Sequence, residues 1–139
     1  MTKEKYKFIE DLTSDVMFEA YGKNLKELFE NAALATLSVI CNLKKVRPKK
    51  KEKFEMKAEN LEGLMFNWLS GIIAISETEH MFFSKVKVIE ISETKVIAEL
   101  QGETATPEKG ETVVKAVTYY GFKLEKDKSG YKVRISLDI

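Results

Sequence analysis

The chain has 139 residues, 44% hydrophobic and 32% charged, with a formal net charge of +1. That length suits one domain burying roughly two-thirds of its unfolded surface, and the composition excludes a disordered or membrane-embedded chain. Near-neutrality leaves no global field to draw the protein onto nucleic acid or anionic lipid, so any such contact must come from a local patch.

In chain order, Tyr6-Lys7-Phe8-Ile9 reads as a short strand. Val16 to Tyr21 reads as a second, with Val16, Phe18 and Ala20 on one face and Gly22 as the turn that closes it. Asn24 is an N-cap, and Glu27 three residues on has capping-box spacing. Leu25, Leu28, Phe29, Ala32, Ala35, Thr36, Val39 and Ile40 then recur at helical intervals, predicting an amphipathic helix over 24–41. Val46 to Met56 is extended, with Pro48 tolerated at an edge. A second helix starts near Ala58 or Asn60 and carries Leu61, Leu64, Met65, Trp68, Leu69, Ile72 and Ile73 on one face. Gly63 and Gly71 weaken it by about 1 kcal/mol each relative to Ala.

From Phe82 the pattern is strand throughout. Phe83–Ile91 and Lys95–Glu103 form a hairpin across Ser92-Glu93-Thr94, and a loop follows from Thr104 to Glu111. Thr112–Glu125 and Tyr131–Leu137 form a second hairpin across 126–130. The expectation is α+β: a single domain with a largely antiparallel or mixed sheet of about six or seven strands, packed with two main helices.

The candidate chemistry is sparse. Asp138 precedes the last residue, Ile139, and Asp15 stands just before the second strand. Two readings fit these carboxylates. They are solvated strand ends, or they meet, and a hard cation such as Ca²⁺ or Mg²⁺ relieves their repulsion. Lys115, between Val114 and Ala116 in a strand, is either an edge-strand guard or a charge beside carboxylates or phosphates. The run from Lys44 to Lys53 has seven positive residues against one negative, which leaves the rest of the chain acidic. It is either a solvated, edge-protecting segment or an RNA-binding, chaperone-like surface, and it lacks aromatics for base stacking.

Enzyme machinery is thin. The single cysteine, Cys41, closes an apolar helical stripe and reads as a core residue; it allows no intramolecular disulfide and fits a reducing interior. The single histidine, His80, follows Glu77 and Glu79 at a helix end, a weak transition-metal pattern with a helix-end loop as the blander account. There is no phosphate-binding loop, dinucleotide fingerprint or paired-cysteine motif. Without an apolar leader or a segment long enough to span a bilayer, the expected location is cytoplasmic.

Several short motifs, in order along the whole length, resemble the archease family. Leu12-Thr13-Ser14-Asp15 stands where members carry His-Thr-Ala/Ser-Asp, followed by Tyr21-Gly22 and the leucine-rich helix from Leu25. Leu64 to Leu69 matches the family's tryptophan-centred helix, and Gly102-Glu103 matches its Gly-Glu pair. Val114-Lys115-Ala116-Val117-Thr118-Tyr119 resembles a strand that in the family ends Tyr-His, and the chain closes on Asp138-Ile139.

The resemblance implies one archease-like domain over 1–139 and an accessory role without independent catalysis. Such a protein activates an RtcB-type, GTP-dependent RNA ligase in tRNA splicing, promoting its guanylylation and multiple turnover. It also implies a divalent-cation site, Ca²⁺ by type with Mg²⁺ as the alternative, at Asp15, Asp138 and Ile139. Lys115 stands at the position of the family's functional lysine. The implied partner is the ligase, with tRNA contacted indirectly or weakly, and no membrane. The chain departs from the pattern at Leu12 and Tyr120, where the family has histidines. Leucine neither donates, accepts nor titrates, so the imidazole pair is lost while the carboxylates stay.

Overall fold

The computed structural model describes residues 4–9 and 15–139. Seven strands and two helices follow one another as β1 (Tyr6–Ile9), β2 (Val16–Gly22), α1 (Leu25–Ile40), β3 (Lys50–Lys57), α2 (Leu61–Thr78), β4 (Met81–Ile91), β5 (Lys95–Thr104), β6 (Ala116–Asp127) and β7 (Gly130–Asp138). A 3-10 turn at Pro107–Lys109 lies between β5 and β6. The α+β class and the antiparallel pairing stand as expected, but the strands divide into two sheets, β1-β2-β7-β6 and β3-β5-β4.

The division follows from the helices. Each touches both sheets: α1 packs on β2 and β7 of the first and on β4 of the second, and α2 packs on β3, β4 and β5 and on β6. A helix held from two sides must be apolar over more than one stripe. Ala33 and Leu37 are accordingly buried in α1 beside the expected Leu28, Phe29, Ala32, Ala35 and Thr36. Where the helices meet, Trp68 lies against Phe29 and Phe54 with ring centroids 6.0 and 5.6 Å away. Its Nε1–H donates to the Phe29 carbonyl at 3.0 Å, so the one polar atom of this buried ring is satisfied.

Local chemistry sets the helix ends. The Asn24 side chain accepts from the Glu27 N–H at 2.9 Å, and the Glu27 carboxylate accepts from the Lys23 N–H at 3.0 Å. The reciprocal cap is present, with its second arm one residue earlier than capping-box spacing implies. Asn60 caps α2 in the same way, accepting from the Gly63 N–H at 2.8 Å. Beyond α2, His80 takes a left-handed backbone (φ 52), a conformation that ends helices and that histidine tolerates better than most residues.

Three sequence boundaries move. The extended segment from Val46 becomes strand only at Lys50, which pairs with Gly102, and the Lys49 N–H just before it donates to the Gly102 and Arg47 carbonyls. The strand expected from Thr112 begins at Ala116. The hairpin turn tightens to two residues, with Asp127 accepting from the Ser129 N–H at 2.8 Å and hydroxyl at 2.7 Å.

Gly102, the first residue of the Gly-Glu pair, is required by close approach. A Cβ there would run into the carbonyl oxygen of Phe82 and come within 2.7 Å of the Phe83 Cα, both backbone of the neighbouring strand. Gly102→Ala is expected to destabilise the protein by about 2–3 kcal/mol through overpacking. The reading is a lower urea midpoint at unchanged slope; an unchanged midpoint would mean that β4 can yield there.

Candidate functional site

The expected site residues lie at the ends of three neighbouring strands. β7 runs between β2 and β6, and its register sets Val16 opposite Leu137 and Ala116 opposite Asp138. Asp15 directly precedes Val16 and Asp138 directly follows Leu137, so both adjoin that end of the pairing. On the other flank the Lys115 N–H donates to the Asp138 carbonyl at 2.7 Å. Asp15, Asp138 and Lys115 therefore share one end of the first sheet, and Ile139 follows there, 37% exposed. Asp15 and Asp138 are half-buried. The segment from Asp11 to Ser14, including Leu12, lies outside the described residues.

Lys115 differs from its expected setting. It stands just before β6, and the chain does not alternate through it: Val114 and Val117 are buried while Lys115 and Ala116 are exposed. The physical reason is how the preceding segment docks. The Glu111 and Thr112 N–H groups donate to the Ile40 and Val39 carbonyls at the end of α1, at 2.9 and 3.0 Å. That contact turns Val114 into the core and leaves the lysine pointing to water on a fixed backbone.

The Gly102-Glu103 motif supports this segment from behind. The buried Glu103 carboxylate accepts from the Arg47 N–H at 2.7 Å and from the Lys109 ammonium at 2.7 Å, with the Lys49 ammonium at 3.9 Å. The Lys109 hydrogen bond, then the Arg47 N–H, hold its pKa below the ordinary carboxylate range against the opposing effect of burial. One carboxylate so ties the end of β5 to the basic run and to the turn that leads into Lys115. Sequence reading took Glu103 only as a motif letter, since its partners lie 56 and 6 positions away.

A second feature escaped the sequence. Between Thr118↔Ser136 and Lys123↔Arg134, β6 bulges outward by several residues. Gly121 takes a left-handed backbone (φ 64), and the buried Ser136 hydroxyl donates to the Tyr120 carbonyl at 2.8 Å. Tyr119 stacks on Phe66 of α2, centroids 4.2 Å apart and planes 3° from parallel. Tyr120 is exposed on this bulge. Gly121 within an aromatic strand was the available signal.

The remaining candidates separate. Cys41 is fully buried, and burial pushes its thiol up to about 12, so it is a protonated core residue. His80 is exposed at the end of α2. Among the described residues no group of three or more His, Cys, Asp or Glu side chains could hold a metal ion, so Glu77, Glu79 and His80 do not form a transition-metal centre. What Asp15, Asp138 and the Ile139 main chain offer is oxygen alone, which suits a hard cation and no thiolate- or imidazole-seeking one. A cleft of about 950 Å³, lined among others by Glu27, Glu30, Asp127 and Lys132, opens at the opposite end of β2 and β7 and belongs to neither set. Among the described residues, no helix is long and apolar enough to cross a membrane.

The archease protein family matches residues 6–139. The chain belongs to the archease family. It is 39% identical to protein archease of Methanosarcina acetivorans over 98% of this chain and 97% of that one. It is 36% identical to protein archease of Sulfurisphaera tokodaii, over 98% and 99%. The solution structure of protein 1598 of Methanobacterium thermoautotrophicum superposes with a TM-score of 0.80 at 30% identity, covering 97% of this chain and 99% of that one. A crystal structure from Thermotoga maritima, described as an archease and possible chaperone, shares the fold at a TM-score of 0.65 and 23% identity, over 100% and 98%.

The archease Gly-Glu pair has a pH signature. Glu103 is more acidic folded than unfolded, so its contribution to stability is present above the unfolded carboxylate range and is lost as pH falls through the folded value. Glu103→Gln should lower the urea midpoint at neutral pH, with the difference from wild type closing in acid. A gap that stays constant with pH would show that the carboxylate's charge does not matter.

Proposed function

We propose that this archease activates an RtcB-type RNA ligase in tRNA splicing, promoting guanylylation and repeated turnover without catalysing a reaction itself. The observation that supports the reading is the register of β2, β7 and β6: Asp15, Asp138 and Lys115 adjoin the same end of the sheet, with Asp15 and Asp138 half-buried and Lys115 exposed. A protein that works by inserting charged groups into another enzyme's nucleotide site needs such groups together, at a protruding edge, on rigid backbone.

Asp15, Asp138 and the Ile139 main-chain oxygen would hold a divalent cation, Ca²⁺ by type or Mg²⁺. Such a cation supplies concentrated positive charge to phosphate or carboxylate oxygens. The chain's own residues do the positioning. Asp138 is fixed from one flank by the Lys115 N–H and from the other by β2, so its carboxylate is presented without a search over backbone conformations. Lys115 is exposed on a segment pinned to α1, and its ammonium is a point charge suited to a phosphoryl group in transfer. Imidazole chemistry has no part in this reading, because Leu12 and Tyr120 replace both family histidines.

In a multiple-turnover ligation of tRNA halves with the same organism's ligase and added divalent cation, wild type should raise the number of joining events per enzyme. Asp15→Ala and Asp138→Ala should reduce the rate to that of ligase alone while keeping the wild-type circular dichroism. Lys115→Ala should lose on the order of tenfold or more of the stimulation, the scale of removing one preorganised charge or donor. Full stimulation by both aspartate variants would remove the carboxylates from the mechanism, and a ligase indifferent to wild type would refute the role.

A further inference from the structure

We propose that the outer face of the β3-β5-β4 sheet binds the phosphate backbone of single-stranded RNA. Alternation along the strands turns Phe54, Met56, Val96, Ala98, Leu100 and Val88 toward the helices. The other parity faces water, and the register orders what it carries. Lys51 and Lys85 flank Gln101 at one level, and Lys53 and Lys87 flank Glu99 at the next. With strands about 4.8 Å apart and alternate residues about 6.7 Å apart, four lysines stand at the corners of a rectangle of about 10 by 7 Å.

One carboxylate lies among them. Glu99 is 3.8 Å from the Lys51 ammonium, and no ion pair within 4.0 Å holds Lys53, Lys85 or Lys87 among the described residues. Exposed Lys50 extends the positive end of the sheet beside Lys51. Both outer strands are sheet edges, and edge protection accounts for a lysine on each. It does not account for two strands placing theirs at the same two levels around a single glutamate, which leaves an excess of positive charge and residual repulsion among the four lysines. A polyanion lying across the rectangle removes that repulsion.

The occupant follows from shape and charge. The face is an open sheet surface rather than a pocket, which suits a chain of anions better than one small anion. The lysine interval along each strand is close to that of successive phosphates on an extended strand. Among these four positions and the two residues between them there is no aromatic, so binding is electrostatic, indifferent to sequence and sensitive to salt. The choice of RNA among polyanions rests on the ligase-activating role above. Its test contains no ligase, so the two readings fail separately.

The experiment measures anisotropy of a fluorescein-labelled single-stranded RNA with the purified protein across a series of KCl concentrations. Wild type should bind at low salt, with affinity falling linearly in log–log form. The combined Lys51→Gln, Lys53→Gln, Lys85→Gln, Lys87→Gln variant should lose at least about tenfold in affinity, and its salt slope should be shallower by about 2–3, at about 0.7 per lost phosphate contact. Replacing the same four by Arg should retain the wild-type slope, and Lys44→Gln with Lys45→Gln should change little. No binding by wild type at the lowest salt, a wild-type slope in the folded quadruple Gln variant, an equal loss in the Lys44/Lys45 variant, or tighter binding to phosphatidylserine vesicles than to RNA would each overturn the proposal.

Discussion

The placement of β7 between β2 and β6 is the constraint on which the candidate site depends. Residues 15, 115 and 138 are remote in sequence, and no local propensity brings them together. The register does, and packing fixes it. Phe18 pairs with Ile135 and Ala20 with Val133, all four fully buried against α1 and its neighbours. A slip of one residue would turn that apolar row to water and expose the core face. On the other face the Arg134 guanidinium reaches the Glu19 carboxylate at 3.1 Å, directly across the strands. Burial pushes the Glu19 pKa up, and the Arg134 and Tyr21 hydrogen bonds with the Lys132 charge more than offset it. The ionised pair therefore marks the same register as the core does.

Position and chemistry divide between sheet and loops. The sheet delivers Asp138 to an edge with its carbonyl engaged. The segment from Glu103 to Lys115 delivers the lysine, by way of the Glu103 carboxylate and the docking of 111–112 on α1. Each residue of that path holds backbone, and the Lys115 side chain at its end is exposed. This division explains how a small protein gathers charged residues at one end of a sheet.

Much of the fold was legible because its signals are local. Asn24 and Asn60 cap helices through side-chain geometry that spacing reveals, and Trp68 sits in a helical stripe that has to be buried. The hairpins follow from alternation and turn residues. The split into two sheets was not legible, since Ala33 and Leu37 widen the apolar arc of α1 without saying what lies on the second side. Nor was the β6 bulge, where Tyr119 leaves the ladder to stack on Phe66, a partner on another element. The expectation that Asp15 and Asp138 share a site came from the resemblance to the family alone. Spacing alone favoured solvated strand ends, because strand order is a long-range property that periodicity does not carry.

The central claim is that Asp15 and Asp138 form a single hard-cation site. Calorimetric titration of Ca²⁺ into the protein, beside Asp138→Asn, tests it directly because asparagine keeps the shape and removes the charge. The account predicts one ion per chain for wild type and a loss of about tenfold or more in affinity for the variant. No binding by wild type, or equal affinity in the two proteins, would contradict it.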